Sequence, residues 1–202
     1  MALSNKKHLI SEQEYLSGEL VSEVKHEYIN GHVYAMAGAG VNHNRITMNL
    51  VRQFGNHLAN TPCEPFSSDM KLKVKNDFFY PDFMVVCENP NEYYTESAII
   101  IVEVLSKSTR KTDQTLKRLA YQSLPSLKEY VLIEPDFVDV EVCRRENHWQ
   151  SEHSFLGDEV YFATIDLHLS VEAIYARVNN EDMQEWTEKK IENGEVGKLN
   201  AI

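Results

Sequence analysis

Two carboxylates fall where carboxylates are costly. In "YPDFMVVC", Tyr80 to Cys87, and in "AIIIVEVLS", Ala98 to Ser106, Asp82 and Glu103 each lie in a stretch that reads as a buried strand. Glu103 interrupts Ile99, Ile100, Ile101, Val102, Val104 and Leu105, and an ionised group in such company needs a cation, a metal or several donors to compensate it. If strand pairing brings Asp82 beside Glu103, the two acids repel each other and suit a hard divalent ion such as Mg²⁺ or Mn²⁺. Further along, Asp113, Lys117, Tyr121 and Leu124 recur at helical spacing, so one stripe carries the Lys117 ammonium toward the strand ends. Metal-assisted hydrolysis of a phosphodiester needs oxygen ligands, a held water and a positive group against the developing charge. Asp82 and Glu103 are the candidate ligands, with the Val104 carbonyl as a further oxygen. Lys117 is the candidate for orienting the attacking water or helping to deprotonate it.

Each of these residues has a plainer reading when taken alone. Asp82 follows Pro81 and fits a turn exit, Glu103 fits a salt-bridged core position, and most helix lysines are solvated. Ser106, Ser108 and Thr109 have no partner base near them in sequence, so they read as helix caps or phosphate contacts rather than nucleophiles. Together with Arg110, Ser106 and Ser108 are the candidates for binding substrate. Lys107, Arg110, Lys111, Lys117 and Arg118 make this segment locally positive, although such a run also fits a solvated helix face. His148 and His153 match no zinc or triad pattern and read as surface residues.

The elements that must position these groups are legible from period and punctuation. Ser11 and Glu14 make a capping box for a short helix that Gly18 would end, and Asn30-Gly31 between Tyr-, Val- and Ile-rich runs marks a hairpin with Glu27 on its first strand. Ile46, Leu50, Val51, Phe54 and Leu58 predict a helix capped by Asn42 and running to about Ala59. A half-exposed strand at Lys71 to Lys75, a turn at Asn76-Asp77 and a strand from Phe78 to Cys87 follow, then a polar loop from Glu88 to Ser97 and the apolar Ala98 to Leu105 strand, covered on both faces. The next helix has Thr112 as its cap and Leu116, Leu119, Ala120 and Ser123 on one side, and it stops at Pro125. Strands at Tyr130 to Ile133, Val138 to Arg144 and Trp149 to Phe155 precede a last helix from Ser170. Residues 1–178 read as one domain. Residues 179–202, with Glu181, Asp182, Glu185, Glu188, Glu192 and Glu195, read as a loosely attached acidic tail.

With 202 residues, 43% of them hydrophobic, the chain can bury one sizeable core. A formal net charge of -11 argues against non-specific coating of nucleic acid, which needs clustered Lys and Arg. No apolar run reaches the roughly 18 residues of a membrane span and no secretory signal is recognisable, so a soluble, cytoplasmic protein is expected. Cys63, Cys87 and Cys143 are scattered and read as reduced.

The series "HEYINGHVYAMAG", "NHNRITMNL", "YPDFMVVC" and "IIIVEVLSKSTRKTDQTLKRLAYQSLPSLKEYVLIEP" closely resembles the Uma-two family of restriction-endonuclease-like proteins, within the PD-(D/E)XK nuclease superfamily. The resemblance implies a mixed α/β fold, a restriction-endonuclease-like core with a mixed central sheet flanked by helices. It implies Asp82 and Glu103 as metal carboxylates, with Glu27 completing the acidic cluster, and it matches His43 at the start of the long helix, where a cap or core role serves equally well. In the wider superfamily a lysine stands two residues after the glutamate; here that position is Leu105, and the family resemblance transfers the role to Lys117. The expected activity is Mg²⁺-dependent hydrolysis of DNA, with a homodimer expected by analogy. A catalytically inactive binding or assembly protein on the same fold is the principal alternative, and a hydrolase of small phosphoesters a further one.

Overall fold

A computed structural model describes residues 9–88 and 90–194. The Ser11–Glu14 capping box forms on α1 (Glu12–Glu19), which runs through Gly18 instead of stopping there. The hairpin also forms, joining β1 (His26–Ile29) to antiparallel β2 (His32–Ala35). Asn30 and Gly31 take φ of 51° and 79°, the left-handed pair that a two-residue type I′ turn requires. α2 (Val41–Leu58) has Gly40, not Asn42, at its N-cap. Asn42 is used differently: its side chain exchanges two hydrogen bonds with the backbone of Asn179, a partner far too distant in sequence to be foreseen.

After β3 (Glu64–Ser67) and β4 (Lys71–Val74), the single strand expected from Phe78 to Cys87 is two strands, β5 (Asp77–Phe79) and β6 (Phe83–Val86). Pro81 has no N–H to give to a ladder, and the chain leaves one sheet and joins another around it. Asp82 therefore lies at a seam between sheets. β7 (Tyr94–Thr95), β8 (Ile100–Val104), β9 (Glu129–Ile133), β10 (Val140–Arg144), β11 (Ser151–Ser154) and the hairpin of β12 (Glu159–Phe162) and β13 (Leu167–Ser170) complete the strands among the described residues. They form a five-stranded sheet, β2-β1-β5-β4-β7, a six-stranded sheet, β11-β10-β9-β8-β6-β3, and the isolated β12-β13 pair. Pairing is mixed, since β8 runs parallel to β9 and antiparallel to β6. Ile46, Leu50 and Phe54 of α2 pack with Phe83, Val85, Val102 and Val104, while Met84, Ile101 and Leu105 pack with Tyr121, Leu124 and Leu132. Strand β8 is thus covered on both faces, as its continuous apolar run predicts.

The helix after β8 comprises α3 (Arg110–Thr112), a π turn (Asp113–Lys117) and α4 (Arg118–Gln122), and its N-cap is Thr109 instead of Thr112. Its expected apolar face is not the buried one: Leu119 is 71% exposed. Asp113, Lys117, Tyr121 and Leu124 face inward, because Glu103 beneath them demands a cation and donors more than it rewards further apolar contact.

Two expectations fail in instructive ways. Of the residues expected to form a loose tail, 179–194 are described, and these do not trail loosely: Asn180 caps α6 (Glu181–Glu192), and Asp182 accepts a 2.7 Å hydrogen bond from the Val138 N–H, tying the first turn to the body. The short α5 (Val171–Ile174) before it starts at Ser170 as expected, and Glu195 lies outside the described residues. Cys63 and Cys87 are joined in a disulfide. They flank the β3–β6 ladder, whose register sets Glu64 opposite Val86 and so puts the two cysteines across from each other, which scattered spacing in sequence cannot reveal. Cys143 stays a buried free thiol. No described helix is long and apolar enough to cross a membrane.

Candidate active site

The seam at Pro81 and the end of β8 bring Asp82 and Glu103 together. The Asp82 N–H points to Glu103 Oε2 at 3.3 Å, and the Val104 N–H donates to Asp82 Oδ2 at 2.8 Å. Across the six-stranded sheet, the first turn of α2 sets His43 Nε2 3.1 Å from the same Asp82 Oδ2. From the opposite side the Tyr121 hydroxyl donates to Glu103 Oε1 at 2.8 Å, and Lys117 Nζ lies 3.2 Å from that oxygen. Lys117 Nζ also meets Glu27 Oε1 at 2.8 Å and Asp113 Oδ1 at 3.4 Å. Asp113 and Lys117 are the two ends of the π turn, a departure from α-helical winding that often marks a functional position.

Burial pushes the Glu103 carboxyl well above its ordinary value; Lys117 opposes that, while Asp82, Asp113 and Glu27 add to it. Burial alone would lower the Lys117 amine, but Glu103, Glu27 and Asp113 outweigh it and raise the amine above its usual value. Asp113 is likewise raised by burial, against the pull of Lys117. Three carboxylates share one ammonium and Asp82 adds a fourth acid beside Glu103, so the cluster carries surplus negative charge that a proton or a further cation must relieve.

The donor set fits a hard divalent ion. Asp82 and Glu103 each have one oxygen engaged by two donors; Asp82 Oδ1 has no protein partner among the described residues, and Glu103 Oε2 has only the long bond from the Asp82 N–H. Among the described residues no three acidic, imidazole or thiol side chains converge tightly enough to hold an ion alone. Water and substrate oxygens would complete the shell, which is the habit of Mg²⁺.

The chain matches the Uma2 family model, described as "Putative restriction endonuclease", over residues 12–172. It belongs to the Uma2 family. It is 32% identical over 173 residues to the uncharacterized protein slr1290 of Synechocystis sp., covering 82% of this chain and 91% of that one. A second uncharacterized Synechocystis protein, sll1609, is 34% identical over 163 residues, covering 77% and 86%. Among solved structures, one titled as a putative nuclease belonging to DUF820, from Anabaena variabilis, superimposes with a TM-score of 0.71 at 19% identity, over 84% of this chain and 99% of that one. The mixed α/β fold is accordingly restriction-endonuclease-like.

The Uma2 match spans every residue of the cluster, and it excludes Asn179 and α6, which only the structure ties to the body. Glu27, read from sequence as part of the acidic cluster, faces the Lys117 ammonium and accepts from the Tyr80 N–H at 3.4 Å. The Ser106 hydroxyl lies 3.0 Å from that of Ser108 and 2.9 Å from that of Thr109, and it accepts from the Thr109 N–H, a local cap on an exposed loop. Arg110, half exposed, pairs with Glu134 Oε2 at 2.6 Å. In this Uma2 member Leu105, which holds the superfamily's lysine position, is buried in the core. Asp113 and Tyr121 had no role assigned from sequence, although their i, i+4 spacing about Lys117 was the available signal.

Proposed function

We propose that the protein is a metal-dependent nuclease that hydrolyses phosphodiester bonds of DNA. The observation supporting this reading is the pairing of Asp82 with Glu103, each braced by two donors on one oxygen, with Asp82 Oδ1 unengaged among the described residues and Glu103 Oε2 held only by the 3.3 Å bond from the Asp82 N–H, beside the buried Lys117 ammonium. Asp82 and Glu103 would hold Mg²⁺ or Mn²⁺. Bound there, the ion supplies positive charge that polarises the phosphoryl group. Lys117, kept charged by its three carboxylate neighbours, acts as a fixed cation and not as a base. As such it would orient the attacking water or a phosphate oxygen. Glu27 and Asp113 hold that ammonium in place, and Tyr121 holds Glu103. Ser106, Ser108 and Arg110, at the start of the helix that carries Lys117, contact the phosphates of the strand. Two copies would serve to cut both strands of a duplex, which an elution volume corresponding to a homodimer would support.

The deciding assay incubates purified protein with plasmid, single-stranded DNA and RNA in Mg²⁺, Mn²⁺ or EDTA. Metal-dependent cleavage of DNA is expected, falling at least about 100-fold in Glu103→Ala and Lys117→Ala. Cutting that survives both substitutions removes these residues from the chemistry.

A second reading, a binding or assembly protein that keeps the nuclease fold without turnover, draws support from Leu105 in the superfamily's lysine position and from an ammonium already inside the acidic cluster. Calorimetric Mg²⁺ uptake with no cleavage of any polynucleotide would select it.

A further inference from the structure

We propose that His43 is a positioning residue that sets the plane of the Asp82 carboxylate, an inference that rests on the nuclease reading. His43 Nε2 stands 3.1 Å from Asp82 Oδ2, with only 15% and 16% of the two side chains exposed. The carboxylate oxygen is an acceptor, so Nε2 is the nitrogen that carries the proton. The Val104 N–H reaches the same oxygen at 2.8 Å. One donor anchors an oxygen but lets the carboxylate swing about it; a second donor, from a different element, fixes the plane. Oδ1 is then the oxygen left open for a ligand.

The element that delivers His43 is itself held in register. Asn42, the neighbouring residue, exchanges two hydrogen bonds with Asn179, and the Asn49 amide donates to the carbonyls of Ile174 and Ala176, both at 2.9 Å. Ile46, Leu50 and Phe54, on the same stripe of α2 as His43, anchor that face in the core. A histidine that merely satisfied its own hydrogen-bonding needs would not require Asp82 to present a chosen oxygen, and replacing it would leave ion affinity alone. Groups that orient a metal ligand behave differently: their loss typically weakens metal binding by about 10- to 100-fold.

The test is calorimetric titration of Mn²⁺ into the full chain, as wild type and as His43→Leu, His43→Gln and His43→Asn. Gln can bring an amide N–H to the place of Nε2, whereas Asn is too short. We expect Leu and Asn to weaken Mn²⁺ binding about 10- to 100-fold and Gln to stay within about 3-fold of wild type. Unfolding midpoints in EDTA identify any variant that is merely misfolded, in which case the Gln-against-Asn comparison decides. Wild-type affinity in the Leu or Asn variant overturns the role of His43 and leaves the nuclease reading intact. A wild-type chain that takes up no Mn²⁺ overturns both.

Discussion

Lys117 is 5% exposed, and its ammonium faces Glu27, Glu103 and Asp113, so its loss would strand three acids in a dry place. Removing one partner of a buried ion pair costs about 3–5 kcal/mol, because the remaining charge keeps its desolvation penalty without its compensation. Lys117→Met in EDTA should therefore unfold at lower urea, by roughly that amount of free energy, with part of the loss recovered when Glu103 takes up a proton. A change below about 1 kcal/mol would mean that the acids find other relief, and Lys117 would then be less central to the cluster than its distances imply. Tyr121 contributes through geometry: burial and Glu103 hold its hydroxyl well above the ordinary phenol value, so it remains a donor to Oε1.

At the level of elements, three segments meet at the site from three directions. Strand β8 carries Glu103, the seam between β5 and β6 carries Asp82, and the π turn carries Lys117. Helix α2 brings His43 from across the sheet, and its position depends on the segment between α5 and α6. Asn49→Ala should cost about 1–3 kcal/mol, since it leaves the Ile174 and Ala176 carbonyls without their donor. Urea denaturation measures this directly, and a loss under about 0.5 kcal/mol would show that those carbonyls are satisfied by water instead.

At the level of the molecule, the Cys63–Cys87 bond closes the β3–β6 end of the six-stranded sheet across a sequence separation of 24. A loop of that length constrains the unfolded chain by about 3 kcal/mol. Wild-type stability should drop by up to that amount on adding a thiol reductant, and Cys63→Ser should show no such dependence. Equal stability of the two proteins in oxidising buffer would show that the bond adds nothing. α6 extends the body beyond the residues that match the Uma2 family, with Asp182 on the Val138 N–H as its fastening.

Local chemistry wrote much of this protein in plain view. The Ser11–Glu14 box, the Asn30-Gly31 turn, the apolar period of α2 and the buried run around Glu103 depend on neighbours within a few residues, and each formed as its residue types require. The order of acids, lysine and tyrosine pointed to the family for the same reason. What the linear pattern could not decide was every feature created by contact between distant segments. Pro81 split one expected strand between two sheets, and Leu116 and Leu119 ceded the buried face to Asp113 and Lys117. Cys63 found Cys87 across a ladder, and Asn42 turned from capping to gripping Asn179. For the helix face and for Asn42 the local preference is worth about a kilocalorie or less, whereas an uncompensated buried charge or an unpaired backbone group costs several, so the assembled structure decides; for Cys63 and Cys87 it is the ladder register that decides.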